Sequence, residues 1–175
     1  MDGTRALGLA AGLLGALATQ PQGARADDWL TTSGDVLEIV LPLAAAACAT
    51  KQRRLASYAT GFVALTAATQ GLKYGLGGAQ INQRPNGQSH GFPSGHTAAA
   101  ASGATDLAVH CAPGNRAVAA AGAAATALVA ASRLDADEHT LLQVAAGAAL
   151  GALSTGIQVT STPRGGFGLV YEFQF

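Results

Sequence analysis

Charge is scarce in this chain. Ten Lys and Arg and ten Asp and Glu are spread over 175 residues, about half the roughly one in four of an average soluble domain. The deficit points toward lipid, although Ala and Gly are weak hydrophobes, so a membrane reading depends on where the charges fall. The formal net charge is zero, and nothing in it suggests a nucleic-acid partner. Cysteine is limited to Cys48 and Cys111. Neither belongs to a CxxC or Cys/His ligand spacing, which argues against a metal site, and both read as small buried core residues rather than a disulfide. No internal repeat is present, and the length suits one domain.

The N-terminus has the layout of a secretory signal: a basic start ending at Arg5, an apolar run from Ala6 to Ala18, and Ala24-Arg25-Ala26 before Asp27. The run is short of the about 20 residues a membrane crossing needs, so cleavage after Ala26 is expected, with an uncleaved anchor as the alternative. Residues 1–26 are thus a signal peptide or first membrane segment, 27–162 the main body and 163–175 a tail.

In the main body, charges separate apolar segments at about 34–50, 55–76, 95–112, 117–131 and 140–160. Each reads as a helix and a candidate membrane span, giving an all-α membrane helical bundle of about five helices after the signal segment. Glu38, Asp106 and His110 lie inside these segments, which keeps a soluble periplasmic bundle as the alternative. Small residues in 98–104 and 119–125 would let helices approach closely. With Asp27 outside, the basic loop Lys51-Gln52-Arg53-Arg54 falls inside, as short cytoplasmic loops prefer. Arg84 and Arg133 then fall outside, against the rule, and an anion to bind would explain them. The last residues alternate Leu169, Tyr171, Phe173 and Phe175, a strand-like pattern with no expected partner, so an interfacial or disordered tail is expected.

Two loops on the same expected face carry the chemistry. The first contains Gly77-Gly78, Arg84-Pro85 and Phe92-Pro93-Ser94-Gly95-His96-Thr97, ending where an apolar helix starts. Pro93 stops the preceding chain from being helical, Ser94 can cap the next helix, and Gly95 lets backbone N–H groups approach an anion at its positive end. The second has Ser132-Arg133, five residues, then His139. Arginine offers a planar fork to phosphate oxygens, and histidine can serve as nucleophile or proton carrier near neutral pH. Alone, each loop reads as a cap or a solvated connection; together they supply the parts for phosphoryl transfer.

From Lys73 to about Gly147 the chain resembles the type 2 phosphatidic acid phosphatase superfamily. Lys73 with Arg84-Pro85 resembles its first motif, Pro93-Ser94-Gly95-His96 matches its second, and Ser132-Arg133 with His139 matches most of its third. The resemblance implies a phosphatase with six hydrophobic segments and its site at the outer face of a bacterial inner membrane. It implies that His139 attacks phosphorus and that His96 protonates the leaving alcohol and then activates water. Lys73, Arg84, Ser94, Gly95 and Arg133 would hold the phosphate, with no metal and no cofactor. The implied partner is a phospholipid or other phosphorylated lipid, such as phosphatidic acid, phosphatidylglycerol phosphate, undecaprenyl diphosphate or lipid A. Rival readings are a soluble periplasmic acid phosphatase, a phosphate-binding membrane protein without efficient turnover and, more distantly, a vanadate-dependent peroxidase.

Two departures stand out. The spacer from Lys73 to Arg84 is longer than the family's, and Gln143 stands where the family has the Asp that orients the nucleophile. Replacing such an Asp by an amide in a serine-protease triad costs about four orders of magnitude in turnover, so a reduced rate is expected here. Asp135, Asp137 and Glu138 are alternative orienting carboxylates, of which only Asp135 lies one helical turn from His139 if the loop is helical; each otherwise reads as a solvated loop acid. His90 reads as a loop residue, and His110 as a helix-end residue near Pro113.

Overall fold

The computed structural model describes residues 22–161 and 166–172; the signal-like segment up to residue 21 and the end of the tail lie outside them. Five α-helices make up the body: α1 Gln22–Lys51, α2 Leu55–Gly75, α3 Gly95–Asp106, α4 Arg116–Asp135 and α5 Leu141–Ser154. A turn of π-helix, Leu107–Cys111, prolongs α3, and one 3-10 turn, Gln80–Asn82, lies in the long loop after α2. The expected all-α bundle is what forms.

Helix α3 is the centre. Its small residues Ala98, Ala100, Ala101 and Ala104 are all buried, and α1, α4 and α5 pack around it. Two glycines of α5 make this closeness possible. A Cβ on Gly147 would sit 2.4 Å from the Ser94 carbonyl oxygen, and one on Gly151 2.2 Å from that of Ala98. The contact brings the N-terminus of α5 against that of α3, and the two motif loops meet there.

The outer helices carry the apolar surface. The stretches Trp29–Lys51 and Arg116–Asp135 are long and apolar enough to cross a membrane, whereas α5 is apolar but has only 14 residues. Fewer of the five helices than expected therefore meet the length and composition of a span. Ile39 and Leu43 of α1 remain 56% and 63% exposed, so this side of the bundle presents hydrocarbon rather than polar groups.

At the end opposite the motif loops, Gln52 Nε2 donates to the His110 carbonyl at 2.8 Å and the His110 ring lies 3.4 Å from that of Thr155. Asp106 is buried here in a two-pronged pair with Arg54, at 2.8 and 2.7 Å, which accounts for an acid inside an apolar segment.

Two expectations are corrected at this end. Cys48 and Cys111 form a disulfide, with S–S 2.07 Å. Their proximity depends on how α1 lies along α3 and on the widened turn after Asp106, which spacing in the chain does not reveal. The tail is not an unpartnered strand: β1, Ile157–Ser161, pairs antiparallel with β2, Phe167–Tyr171. The expected last helix stops at Ser154, and the β-branched residues after Gly156 form the missing partner. The Val159 N–H donates to Ser57 Oγ at 3.1 Å, which fastens the hairpin to α2.

Candidate active site

The loop from Leu76 to Pro93 is organised by Asn82. Its side chain is fully buried; Nδ2 donates to the carbonyls of Lys73 and Gly77, both at 2.8 Å, and Oδ1 accepts from the Phe92 N–H at 3.0 Å. One amide thus ties the end of α2 to the start of the Pro-Ser-Gly-His segment. This fixes where Arg84 emerges, and the Asn86 N–H docks the loop on the Asp137 carbonyl at 3.2 Å. Sequence reasoning missed Asn82, because a loop asparagine carries no signal until its partners are known.

The cap at the start of α3 forms as the sequence suggests. Ser94 is buried, and its Oγ accepts from the Thr97 N–H at 3.4 Å and from the Thr97 hydroxyl at 3.1 Å. Gly95 and His96 follow as the first helical residues, where backbone N–H groups have no intrahelical acceptor and favour an anion.

A cavity of about 850 Å³ is lined by Lys73, Arg84, Gly95, His96 and His139, with Glu38 on its wall. Ser94, next to Gly95 in the chain, and Arg133, whose charge acts on His96, are not themselves among the lining residues. Every residue picked for phosphate binding or catalysis therefore gathers at this end, Lys73 included despite its longer spacer. Lys73 is buried, with Nζ donating to the His90 carbonyl at 2.6 Å. Arg84 is ion-paired with Glu138, and its Nε is buried without a hydrogen-bond partner among the described residues, a donor suited to an anion. Arg133 Nη2 meets Asp35 Oδ1 at 2.8 Å and Nε donates to Ser132 Oγ at 3.1 Å. His96 Nε2 lies 3.4 Å from Glu38 Oε2.

His139 is 3% exposed. Its Nδ1 is 3.1 Å from Gln143 Oε1. The orientation of that carboxamide is fixed by the rest of its network: Nε2 donates to the carbonyls of Ile81 at 2.9 Å and Gln83 at 2.8 Å, and Oε1 also accepts from the Thr140 N–H at 3.1 Å. Only Oε1 can therefore face His139, so His139 Nδ1 carries the proton and Nε2 keeps its lone pair. Burial pushes the imidazole down to about 4, with Lys73 and Arg84 adding to the shift and the Gln143 bond opposing it. A neutral, oriented imidazole beside fixed cations can act as a nucleophile toward phosphorus.

Gln143 also completes the α5 cap, since Thr140 Oγ1 accepts from its N–H at 3.3 Å. Its carboxamide thus has three tasks: it orients His139, caps α5 and clasps the Arg84 loop. Asp135 does not orient His139. Helix α4 ends at Asp135 and the chain turns before His139, so the helical turn that would align them is absent. His90 contributes its backbone carbonyl to Lys73, and its ring sits 5.0 Å from that of Tyr74. His110 lies at the far end of the bundle. Asp35 beside Arg133 and Glu38 beside His96 went unrecognised, since helix α1 carries them, and Glu138, considered only as an orienting carboxylate for His139, pairs with Arg84 instead.

The fold and site define a helical bundle that gathers two histidines and three basic side chains where the N-termini of two helices converge. The family model described as the PAP2 superfamily matches residues 54–165, and the chain belongs to that superfamily. Its members are generally phosphatases, which supports a phosphatase-type activity at the level of the superfamily. Comparison with curated proteins and with solved structures gives no match.

Proposed function

We propose that the protein hydrolyses a phosphate monoester or diphosphate carried by a lipid, through a phosphohistidine on His139. The observation that carries this reading is the hydrogen bond from Nδ1 of His139 to Gln143, which leaves Nε2 unprotonated in a cavity shared with Lys73, Arg84 and His96. Nε2 attacks phosphorus and the ester P–O bond breaks, with the leaving oxygen taking a proton from His96. Neutral His96 then accepts a proton from water as the water oxygen attacks phosphorus and the N–P bond breaks. Lys73, Arg84, Arg133 and the Gly95 N–H neutralise charge on the phosphoryl oxygens, the main demand of this chemistry. These residues supply that charge without calling on a metal.

Lipid is favoured by the apolar share of the cavity wall, Phe62, Leu65, Ala98 and Ala99, and by the exposed apolar side of α1. The basic residues of 51–54 at the opposite end favour an inner-membrane protein whose site faces the periplasm. A second reading, a phosphatase lying wholly outside the cytoplasm, is favoured by the Cys48–Cys111 disulfide at that same end, because such bonds persist in oxidising compartments.

The test is phosphate release by the purified protein in detergent, with chelator present, from phosphatidic acid and from a water-soluble ester. Wild type is expected to turn over and to trap an acid-labile phosphohistidine, and His139→Ala to do neither. Activity in His139→Ala would sink the mechanism. Phosphate or vanadate binding by a silent wild type would establish a binding protein instead.

A further inference from the structure

Glu38 interrupts an otherwise apolar stretch, Val36-Leu37-Glu38-Ile39-Val40-Leu41, within a helix long enough to cross a membrane. An ionisable side chain in such a place is costly unless it has a partner and a task. Its carboxylate is turned inward, 21% exposed, onto the cavity wall with Oε2 3.4 Å from His96 Nε2. A purely electrostatic duty toward Arg133 is already taken by Asp35, one turn earlier on α1, at 2.8 Å. Of the two histidines, then, the one with a neutral amide partner is His139, and the one facing a carboxylate is His96.

We propose that Glu38 is the positioning residue of the proton-transferring histidine, accepting from His96 Nε2–H and so leaving Nδ1 to exchange protons with the leaving oxygen and with water. The inference rests on the phosphohistidine reading above. As the ester bond breaks, the His96 imidazolium gives its Nδ1 proton to the leaving oxygen. After that, neutral Nδ1 takes a proton from the attacking water, and the imidazolium is restored. Glu38 exchanges no proton in either step. It stabilises the imidazolium against Arg133, Arg84 and Lys73, which face His96 from α4, the long loop and α2, and against His139 in the segment before α5; Asp35, the other acid facing it, is engaged by Arg133. Hydrogen bonds of this kind are often long until substrate closes the site.

The experiment compares leaving groups. First-turnover phosphorylation of His139 is measured in wild type, Glu38→Gln and Glu38→Asp, with an alkyl phosphate and with p-nitrophenyl phosphate, chelator present throughout. An alkoxide needs a proton to leave and a nitrophenolate does not. Glu38→Gln is therefore expected to slow the alkyl ester by roughly 10²-fold, within the range general acid catalysis supplies, and the nitrophenyl ester by less than about threefold. Glu38→Asp should recover part of the loss. The retained nitrophenyl reaction reports that the variant is folded; should Glu38→Gln not fold, Glu38→Asp carries the same comparison. Equal losses with both esters, or no loss with either, overturn the role of Glu38 while leaving the nucleophile in place. A wild type that never phosphorylates His139 overturns the parent reading and this inference with it.

Discussion

Gly91 lies against the carboxamide of Gln143 so closely that a Cβ there would stand 2.6 Å from Nε2 and 2.8 Å from Oε1. The contact has no slack, because the carboxamide is held from the other side by its bonds to two backbone carbonyls and to His139. Gly91→Ala must push the amide away from the imidazole. The expected result is a loss of about 1–3 kcal/mol in stability, the usual cost of overpacking, together with at least about a tenfold fall in kcat, equivalent to about 1.4 kcal/mol. Thermal unfolding and phosphate release check it, and unchanged kcat would show that Gln143 does not orient His139.

Gln143→Asp would bring the side chain the family has at this position, yet the surroundings suit an amide. The carbonyls of Ile81 and Gln83 accept from Nε2, and an aspartate is shorter and cannot donate. Two carbonyls would lose their donor, at a cost of about 1–3 kcal/mol each where no water reaches them. The variant is therefore expected to be less stable and no faster than wild type. A faster Gln143→Asp enzyme with an unchanged melting temperature would mean that the loop re-closes without the clasp.

His139 titrates in the folded protein at about 4, pushed down chiefly by burial, while an unfolded histidine titrates near 6.5. Between these values the unfolded chain holds the extra proton. Its contribution to stability is then fully present above about pH 6.5 and is lost as pH falls through about 4, by roughly 3 kcal/mol in all. Chemical denaturation at pH 7.5 and 4.5 should show this slope in wild type and a shallower one in His139→Asn. The acid limb of kcat/KM contributed by His139 should also lie near 4, since protonation removes the lone pair of Nε2.

The disulfide closes a loop with a sequence separation of 63, for which loop-closure entropy gives roughly 4 kcal/mol. Reduction should lower the melting temperature while leaving the arrangement around His139 intact. The same bond tests orientation. Reduced thiols in intact spheroplasts should resist a membrane-impermeant maleimide if residues 51–54 face the cytoplasm, and should react if the whole bundle lies outside.

What could be read in the sequence was local. Ser94 caps α3 because a proline, a short polar residue and a glycine before an apolar run leave few other conformations. The helices follow from apolar segments, and their order brought Arg84, His96, Arg133 and His139 to one end. What could not be read depends on tertiary register. The partners of Gln143 are some sixty positions away at Ile81 and Gln83, and Cys48 meets Cys111 only after α1 has packed on α3. The hairpin was hidden because residues 157–161 were absorbed into the preceding helix. Glu38 looked like a flaw in a membrane segment until His96 appeared beside it.

The pairing of the cradle's cations has an ionic consequence. Lys73, Arg84 and Arg133 bring positive charge around the cavity, while Asp35, Glu38 and Glu138 bring an equal number of carboxylates beside these cations and His96. The site carries its own counterions. A distant anion therefore meets little net field, dissolved salt has little to screen, and chloride, with one charge and no preferred directions, gains little by entering. On the proposed reading, phosphate would gain only once inside, where its oxygens could take directed donors such as Arg84 Nε and the Gly95 N–H. Selectivity in such a site comes from shape at close range rather than from attraction at a distance.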